Sequence, residues 1–331
     1  MIILINPNID HILVKIEEFT QKQSNIPIED KDLARFNLKN QLSRRLIDSS
    51  DKNLKKYGQK ISLCGNRKQI DVKYDYLTDE IISIGYPIIY YCNNRICPRC
   101  QYRRATQWFG KFNRIIRRLI DHYSGYKLVG LNIALKNCHI TNLSKEIDLI
   151  NHAVRQLLAR KWMKKTIKGT IKAIEITPGQ DSDLECDTIT TAHPHVHLLL
   201  LVPQNLNIGI NFENKIRSYI RKSLDLDYEP RIQITRLSCN DDKFERASRS
   251  MFYIFKVQDF SQIDTRWLAE YLKQIEKKRL GTATGVFRSL FIETNTSDKS
   301  SRKINAADYK LLFVRKSDGQ KYDFHTAYEI N

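Results

Sequence analysis

The feature that most constrains the fold is a short apolar segment with alternating histidines, His-Pro-His-Val-His-Leu-Leu-Leu at residues 193–200. Its composition predicts a β-strand, in which successive side chains point to opposite faces of a sheet. His195 and His197 then share one face, and the residues between and after them are apolar and suit a buried opposite face. Two imidazoles held side by side on a rigid strand can bind a divalent cation. His193 has the same parity but stands at the start of the strand.

An acidic residue on a neighbouring segment completes a possible metal site. Residues 170–177 predict the strand that pairs with the histidine strand, and Glu175 is the carboxylate in this mostly apolar stretch. A carboxylate in such surroundings needs a partner. Mg²⁺ and Mn²⁺ prefer oxygen ligands, so we expect one of them to bind Glu175, His195 and His197. The alternative is a solvent-exposed glutamate on an edge strand.

Four cysteines form a second candidate metal site, because Cys92-x4-Cys97-x2-Cys100 is compact and Cys64 stands next to a glycine upstream. The Cys-x2-Cys spacing is typical of a turn that wraps a tetrahedral zinc ion. Four thiolates leave no open coordination position, so the expected Zn²⁺ is structural. The other cysteines are scattered and are expected to be plain thiols, namely Cys138, Cys186 and Cys239.

The charge of the chain indicates a polyanionic partner. Lys and Arg number 55 against 37 Asp and Glu, a formal net charge of +18. Residues 101–121 predict one amphipathic helix, and the run from 95 to 118 contains basic residues and no acidic one. A solvated helix face usually mixes signs, so this run favours a surface that follows DNA phosphates. Its members are Arg95, Arg99, Arg103, Arg104, Lys111, Arg114, Arg117 and Arg118. No apolar run is long enough to span a membrane and no export signal is visible, so a cytoplasmic location is expected.

The rest of the chain predicts alternating helices and strands. We expect a helical surface arm at 1–60, the cysteine block and basic helix at 61–121, a central domain at 122–292, and a polar loop with a closing hairpin at 293–331. Within the central domain the patterns predict strands at 127–136 and 231–237, and helices at 143–162, 215–223, 246–258 and 264–279. The polar loop is expected at 293–308 and the hairpin at 311–324.

A possible nucleophile lies in the segment 251–259, Met-Phe-Tyr-Ile-Phe-Lys-Val-Gln-Asp. On a helix, Tyr253 and Lys256 are one turn apart and share a face. A phenol becomes a useful nucleophile when a cation and a metal-bound phosphate make its deprotonation easier. The chain has 16 tyrosines, so this pattern alone is weak.

Together these motifs resemble the replication initiator (Rep) proteins of small rolling-circle plasmids, which belong to the HUH endonuclease superfamily. The resemblance covers residues 35–288, with the motifs in the family's order. Residues 92–104 are similar to the family's cysteine block, and Leu131–Asn137 loosely to its first strand motif. The histidine strand is similar to its metal motif, and Tyr253-x2-Lys256-x2-Asp259 to its nucleophile motif.

The resemblance implies an α+β fold, in which an HUH-endonuclease-like central antiparallel sheet has flanking helices and follows an N-terminal helical and zinc-binding region. We expect helices over one face and Tyr253 on a helix over the other. Tyr253 would nick single-stranded origin DNA with the help of Lys256 and the metal. The products would be a 5′-phosphotyrosine and a 3′-OH primer, and the strand would later be rejoined. The implied partners are the origin hairpin and a host helicase, polymerase and single-strand-binding protein.

One departure from the family concerns termination. Some relatives carry a Glu one helical turn before the nucleophile, where this chain has Arg249, and the nearest upstream acid is Glu245. The residue that performs the final cleavage therefore stays open. Two other classes of function also stay open: an HUH transposase or relaxase, and a non-enzymatic, zinc-stabilised DNA-binding regulator.

Overall fold

The computed structural model describes residues 14, 30–75, 80–84, 88–179, 190–237, 255, 257–297, 309–315 and 322–329. The described helices are α1 (Asp30–Asp48), α2 (Lys52–Ser62), α3 (Pro98–His122), α4 (Leu143–Ala159), α5 (Lys161–Thr166), α6 (Ile210–Ser223), α7 (Thr265–Gln274) and α8 (Val286–Ser297). The described strands are β1 (Arg67–Asp75), β2 (Glu80–Ile84), β3 (Ile88–Ile89), β4 (Tyr126–Ala134), β5 (Cys138–His139), β6 (Gly169–Pro178), β7 (Thr191–Pro203), β8 (Arg231–Leu237), β9 (Gly281–Gly285), β10 (Tyr309–Arg315) and β11 (Tyr322–Glu329).

The central sheet is antiparallel and has the strand order β8-β4-β7-β6-β9, with β5 paired to β7. The histidine strand β7 lies in the middle of the sheet, where both of its faces are covered. It is 13 residues long, and most of its residues are buried. The predicted pairing of the segment 170–177 with the histidine strand is confirmed. The α+β class, with an antiparallel sheet and flanking helices, is therefore correct.

Each face of this sheet packs on its own hydrophobic cluster. One cluster joins Val196 and Leu198 of β7 to α4, α6 and α7. The other joins Leu199 and Leu201 to α3 and α8 through residues such as Phe112 and Phe287. Helices cover both faces: α3 and α8 lie on the second one, because the apolar stripe of α3 also needs a sheet surface to bury it, and the helix expected there with Tyr253 lies outside the described residues.

A second antiparallel sheet joins strands β1–β3, from residues 67–89, to the C-terminal strands β10 and β11. Its strand order is β11-β10-β1-β2, with β3 paired to β1. The predicted C-terminal hairpin is confirmed as β10 and β11, and it pairs with β1 in the register Arg67↔Val314 to Val72↔Tyr309. The turn at 317–319 lies outside the described residues.

The N-terminal helices are built into the core and are not a surface arm. Leu42 and Leu46, one turn apart on α1, are fully buried. Lys39 on the same helix is also fully buried, and its ammonium donates to the carbonyl of Ser62 and to Oδ1 of Asn66, each at 2.9 Å. Within residues 30–60 the many charges flank a narrow buried stripe, so this part of the expected surface arm packs into the core, while residues 1–29 apart from 14 lie outside the described residues.

Other local expectations also need correction. The helix predicted at 143–162 is interrupted at Arg160, whose φ of −59° and ψ of 138° are extended, so that α4 and α5 are separate. Residues 293–297 of the predicted polar loop belong to α8. Residues 257 and 258, at the end of the helix predicted at 246–258, are not helical, and most of that segment lies outside the described residues.

Candidate active site

The strand register brings the predicted metal ligands to one face of the sheet. Glu175 on β6 is the cross-strand partner of His195 on β7, and Asn132 on β4 is the partner of His197. All four belong to the face that also carries Leu199 and packs against α3 and α8. His195 thus has Glu175 and Ala134 as cross-strand partners and His197 has Asn132 and Ala173, so each histidine has one polar partner.

His197 lies between two oxygen atoms. Its Nδ1 is 2.8 Å from Oδ1 of Asn132, and its Nε2 is 3.0 Å from Oε2 of Glu175. The His197 and Glu175 side chains are 6% and 13% exposed. The amide oxygen of Asn132 accepts the Nδ1–H of the ring, which leaves Nε2 directed at the carboxylate.

This arrangement fits a cation between Nε2 of His197 and the Glu175 carboxylate. If Nδ1 carries the proton, Nε2 and Oε2 face each other with lone pairs, and a proton or a metal ion has to lie between them. Two adjacent donors of an octahedral cation with bonds of about 2.1 Å are about 3.0 Å apart. The Nε2···Oε2 separation of 3.0 Å is compatible with this and is equally the length of a direct hydrogen bond. The carboxylate is the donor of this pair that suits Mg²⁺ or Mn²⁺.

The other two histidines extend along the same face. The rings of His195 and His197 are 6.3 Å apart between centroids and 17° from parallel, and the His193 ring is 4.2 Å from that of His195. His193 Nδ1 also pairs with Oδ1 of Asn137.

Asn132 and Asn137 are site residues that sequence reasoning did not single out. Both stand in the loosely matching strand motif 131–137. A polar side chain in the mostly apolar strand β4 was the available signal, since a partly buried amide needs a partner. Only the register of β4 against β7 identifies that partner as a histidine.

Gln258 connects the carboxylate to the segment that follows the predicted nucleophile. Its side-chain amide donates to Oε1 of Glu175 at 3.4 Å and to the carbonyl of Ile176 at 3.0 Å. Its backbone N–H donates to Oε1 of Gln101 at 2.8 Å, and its carbonyl accepts from Nε2 of Gln101 at 3.1 Å. The chain at 258 is thus fixed between α3 and the edge of β6.

The residues around this contact form one pocket, but the nucleophile itself is not described. Phe255 stacks on Trp108 of α3 with centroids 4.5 Å apart and an interplanar angle of 11°. Phe255, Gln258 and Glu175 line the same pocket. Tyr253, Lys256, Glu245 and Arg249 lie outside the described residues, so the role of Tyr253 and Lys256 stays a prediction.

The four predicted zinc ligands come together at the start of α3. Cys64, Cys92, Cys97 and Cys100 have sulfur atoms that all lie within 4.8 Å of one another, and Cys64 and Cys92 are each 3.5 Å from Cys100. Thiolates around zinc at about 2.3 Å are about 3.8 Å apart. Hydrogen bonds from the neighbouring thiols lower the pKa of Cys100, which favours the thiolate form. The cluster can therefore hold a metal such as zinc.

Two backbone positions shape this cluster. Gly65, directly after Cys64, has φ of 71° in the left-handed region. A side chain there would collide with Arg99, whose Nε would be 2.5 Å from the added Cβ. Asn93, directly after Cys92, has φ of 56°. The chain thus turns tightly after two of the four cysteines.

Cys138 lies apart from the cluster, and burial raises the pKa of its thiol to about 12.

The predicted DNA-binding run does not form one exposed surface. Arg99 is 6% exposed and packs over Gly65, so its assignment to the surface is wrong. Arg104 donates to the carbonyls of Asn93, Asn94 and Arg95, and Arg103 lies over the ring of Tyr91 at 4.3 Å. Arg114 and Arg118 are exposed, and Arg118 pairs with Glu293 at 3.4 Å. Lys111 is half-buried, and the side chain of Arg117 is not described.

The described residues contain no helix that is long and apolar enough to cross a membrane.

Comparison with known proteins identifies the family. The model of the Rep_1 family, described as replication protein, matches residues 88–328. The chain is 26% identical over 181 residues to the "Protein rep" of Streptococcus pneumoniae, covering 53% of this chain and 52% of that protein. It is 28% identical over 150 residues to a Bacillus "Protein rep", covering 45% and 46%. It is also 23% identical over 202 residues to that of Lactiplantibacillus plantarum, covering 58% and 62%.

These matches span about half of the length of the curated relatives. No solved structure shows a significant match to the chain. The family match covers most of the chain, from the cysteine cluster through the histidine strand to the C-terminal hairpin. The chain therefore belongs to the Rep_1 family of replication proteins.

Proposed function

We propose that this protein initiates rolling-circle replication of a plasmid by nicking one strand at the origin. The observation that carries the proposal is the group formed by His197, Glu175 and Gln258. It places an imidazole, a carboxylate and the chain five residues after Tyr253 at one point of the sheet. A chain spans at most about 3.5 Å per residue, so a tyrosine two residues before Phe255 is within reach of this point.

Each proposed residue has a separate role in phosphodiester transfer. Tyr253 Oη attacks the scissile phosphorus, and the bond from phosphorus to the 3′-oxygen breaks. The phenolic proton is lost to a base, and the leaving 3′-oxygen takes up a proton to become the 3′-OH primer. His195, His197 and Glu175 would hold Mg²⁺ or Mn²⁺, which as a Lewis acid stabilises the charge that develops on the phosphate oxygens. Lys256 supplies a further positive charge near that phosphate.

The 5′-phosphotyrosine conserves the energy of the broken ester. Attack of a 3′-OH on it restores the phosphodiester and releases the tyrosine, so rejoining needs no ATP. No G-x4-G-K-S/T nucleotide-binding motif occurs in the chain, and strand separation would depend on a host helicase. Host polymerase and single-strand-binding protein are the other expected partners. Arg114, Arg118 and Lys111 of α3 are proposed to contact the DNA backbone.

The four-cysteine cluster is proposed to be a structural zinc site. It lies at the first turn of α3, the helix that supplies Gln101 to the candidate active site. Zinc bound there would fix the start of the helix. It has no role in the chemical step, because four cysteines fill its coordination shell.

The decisive experiment is a nicking assay on a labelled single-stranded origin oligonucleotide with Mn²⁺ or Mg²⁺. Wild type should give a cleaved strand and a covalent adduct that survives denaturing electrophoresis. Tyr253→Phe should abolish the adduct, and the double variant His195→Ala/His197→Ala should lower the rate at least about 100-fold. The matched controls are Tyr228→Phe and His152→Ala, outside the site.

Two outcomes would contradict the proposal. If Tyr253→Phe still forms the adduct, the nucleophile is a different residue. If wild type binds the origin and never nicks it, the protein is a zinc-stabilised DNA-binding regulator. Mobility-shift assays run on the same samples separate a loss of binding from a loss of cleavage.

A further inference from the structure

A pocket of about 350 Å³ lies beside the candidate metal site, at the edge of β6. Strand β9 covers β6 only from Gly169 to Ala173, and the backbone N–H of Ile174 makes one further bond to the carbonyl of Leu280. Beyond this point the edge of β6 faces the pocket, and Glu175 and Ile176 line it. The volume is in the range of small-ligand sites.

Aromatic rings form a large part of the pocket wall. Trp108 and Phe255 are stacked, and Phe260 and Tyr271 form a second pair with centroids 5.5 Å apart. Gly281 allows the first pair to lie close to the sheet, because a Cβ there would be 3.1 Å from the ring of Phe255. Flat aromatic surfaces of this kind stack with nucleobases and tolerate any base.

Hydrogen-bonding groups stand among these rings. Gln101 and Gln258 line the pocket together with Tyr271, and burial raises the pKa of Tyr271 to about 12. The phenol is therefore neutral at ordinary pH and can donate a hydrogen bond. The side-chain N–H groups of both glutamines already donate within the protein, so the Tyr271 phenol is the group of these three that can donate to the polar edge of a base.

The charge of the pocket favours an anion. Among the described residues, three arginines line it against one carboxylate: Arg95, Arg104 and Arg279 against Glu175. Within the same part of the chain, Arg95 Nη1 is buried and has no hydrogen-bond partner, and burial and the nearby charge of Arg104 lower the pKa of its guanidinium. A bound phosphate would relieve the repulsion between these guanidinium groups and match their donor geometry.

We propose that this pocket receives one nucleotide of the single strand next to the scissile phosphate. Its base lies against the aromatic wall, and its phosphate lies near the arginines. The inference rests on the proposed function, because Glu175 belongs both to the pocket and to the candidate nicking site. A free nucleotide offers the same base and phosphate, and the experiment separates the two sources. Because the pocket shares Glu175 with the candidate nicking site, a nucleotide within the DNA strand is favoured over a free nucleotide.

The test uses oligonucleotides in which one position at a time around the nick is abasic. Binding is measured by fluorescence anisotropy in the Tyr253→Phe background, so that no strand is cleaved. One abasic position should weaken binding about tenfold, the usual effect of losing one stacked base. In Trp108→Leu, which keeps an apolar side chain but removes the indole, the intact oligonucleotide should bind about tenfold more weakly. In Trp108→Leu, making that same position abasic should not weaken binding further.

A second series replaces single phosphates by neutral methylphosphonates. Arg279 is exposed, so Arg279→Ala should fold even if Trp108→Leu does not. One phosphate position should lose its effect on binding in Arg279→Ala and keep it in Arg266→Ala, a matched exposed arginine on α7. Circular dichroism and zinc content verify the fold of every variant.

The outcomes separate this proposal from the proposed function. If abasic sites and methylphosphonates change binding in the same way in the pocket variants and in Arg266→Ala, the pocket does not hold a nucleotide of the strand. Nicking by the wild type would still support the proposed nicking function in that case. If deoxynucleoside monophosphates bind to the protein alone, lose affinity in both pocket variants and do not compete with the oligonucleotide, the ligand is a free nucleotide and the strand assignment is wrong.

Discussion

Gln101 and Gln258 are 157 residues apart in the chain and are joined by two hydrogen bonds in opposite directions. Gln101 directly follows Cys100 of the cysteine cluster, and the side chain of Gln258 donates to Glu175. The pair therefore connects the cysteine cluster to the candidate metal carboxylate through two side chains. Neither glutamine titrates or reacts, so their role is to position Glu175 and the chain after Tyr253.

Removing this link should weaken metal binding without unfolding the protein. Gln258→Ala removes one donor to Oε1 of Glu175 and should lower the Mn²⁺ affinity about tenfold, the usual effect of losing a partner of a metal ligand. Electron paramagnetic resonance of added Mn²⁺ measures this directly. Gln69→Ala, which removes an amide that binds Asp71 on β1, is the control. Equal Mn²⁺ affinity in wild type and Gln258→Ala would refute the positioning role.

Asn132 should have a comparable influence from the other side of His197. Asn132→Ala removes the oxygen that holds Nδ1 of the ring, so the imidazole can rotate or change tautomer. We expect a fall in Mn²⁺ affinity of about 10-fold or more, and a lower nicking rate that high Mn²⁺ partly restores. Asn53→Ala on α2 serves as the control. A nicking rate that does not depend on Mn²⁺ concentration in Asn132→Ala would contradict the assignment.

The cysteine cluster should hold about one zinc ion per chain. Cys97→Ser removes one of four ligands, and the purified variant should lose the zinc and melt about 10 °C lower, because metal binding contributes to folding. Mass spectrometry for metals and thermal unfolding measure the two effects. Cys138→Ser should keep its zinc. A burial-raised pKa of about 12 should also leave Cys138 unreactive to iodoacetamide at pH 8. Zinc-free wild type would disprove the site.

Lys172 should make stability depend on pH in the alkaline range. It is 8% exposed, and burial together with Arg279 and Arg155 lowers its pKa to about 8 from 10.5. Between these values the unfolded chain binds more protons than the folded one, so the free energy of unfolding rises with pH. Wild type should gain about 1–2 kcal/mol relative to Lys172→Met between pH 7.5 and 10, measured by urea unfolding. A difference that is constant with pH would show that Lys172 does not titrate in this way.

Two glycines should respond to alanine in opposite directions. Gly285 has φ of 57°, and a Cβ there would be 2.2 Å from the carbonyl of Lys168, so Gly285→Ala should destabilise the protein by about 2 kcal/mol or more. Gly110 lies inside α3 with no atom within 4 Å of the added Cβ. Gly110→Ala should stabilise by about 1 kcal/mol, because alanine is the better helix former. Chemical unfolding of both variants gives the comparison, and a stabilised Gly285→Ala would contradict the strand-to-helix geometry.

The residue pattern alone was sufficient for the histidine strand, for its pairing with residues 170–177 and for the grouping of the four cysteines, whereas the divalent-cation site stays a prediction. Period-two alternation in 193–200 assigns the shared face of His195 and His197 because side chains of any strand alternate. The close spacing of Cys92, Cys97 and Cys100 limits where their sulfur atoms can lie, so the structure brings all four cysteines together as expected.

Contacts between distant segments were decided only by the tertiary structure. The burial of Arg99 depends on the turn at Gly65, and the contact of Asn132 with His197 depends on the register of β4 against β7. The bridge from Gln101 to Gln258 and the joining of β1 to the C-terminal strands in one sheet also involve segments far apart in sequence. Local periodicity shows which face of a helix or strand a residue occupies. Its contact with a residue far along the chain depends on how whole elements pack, and no local sequence pattern encodes that packing.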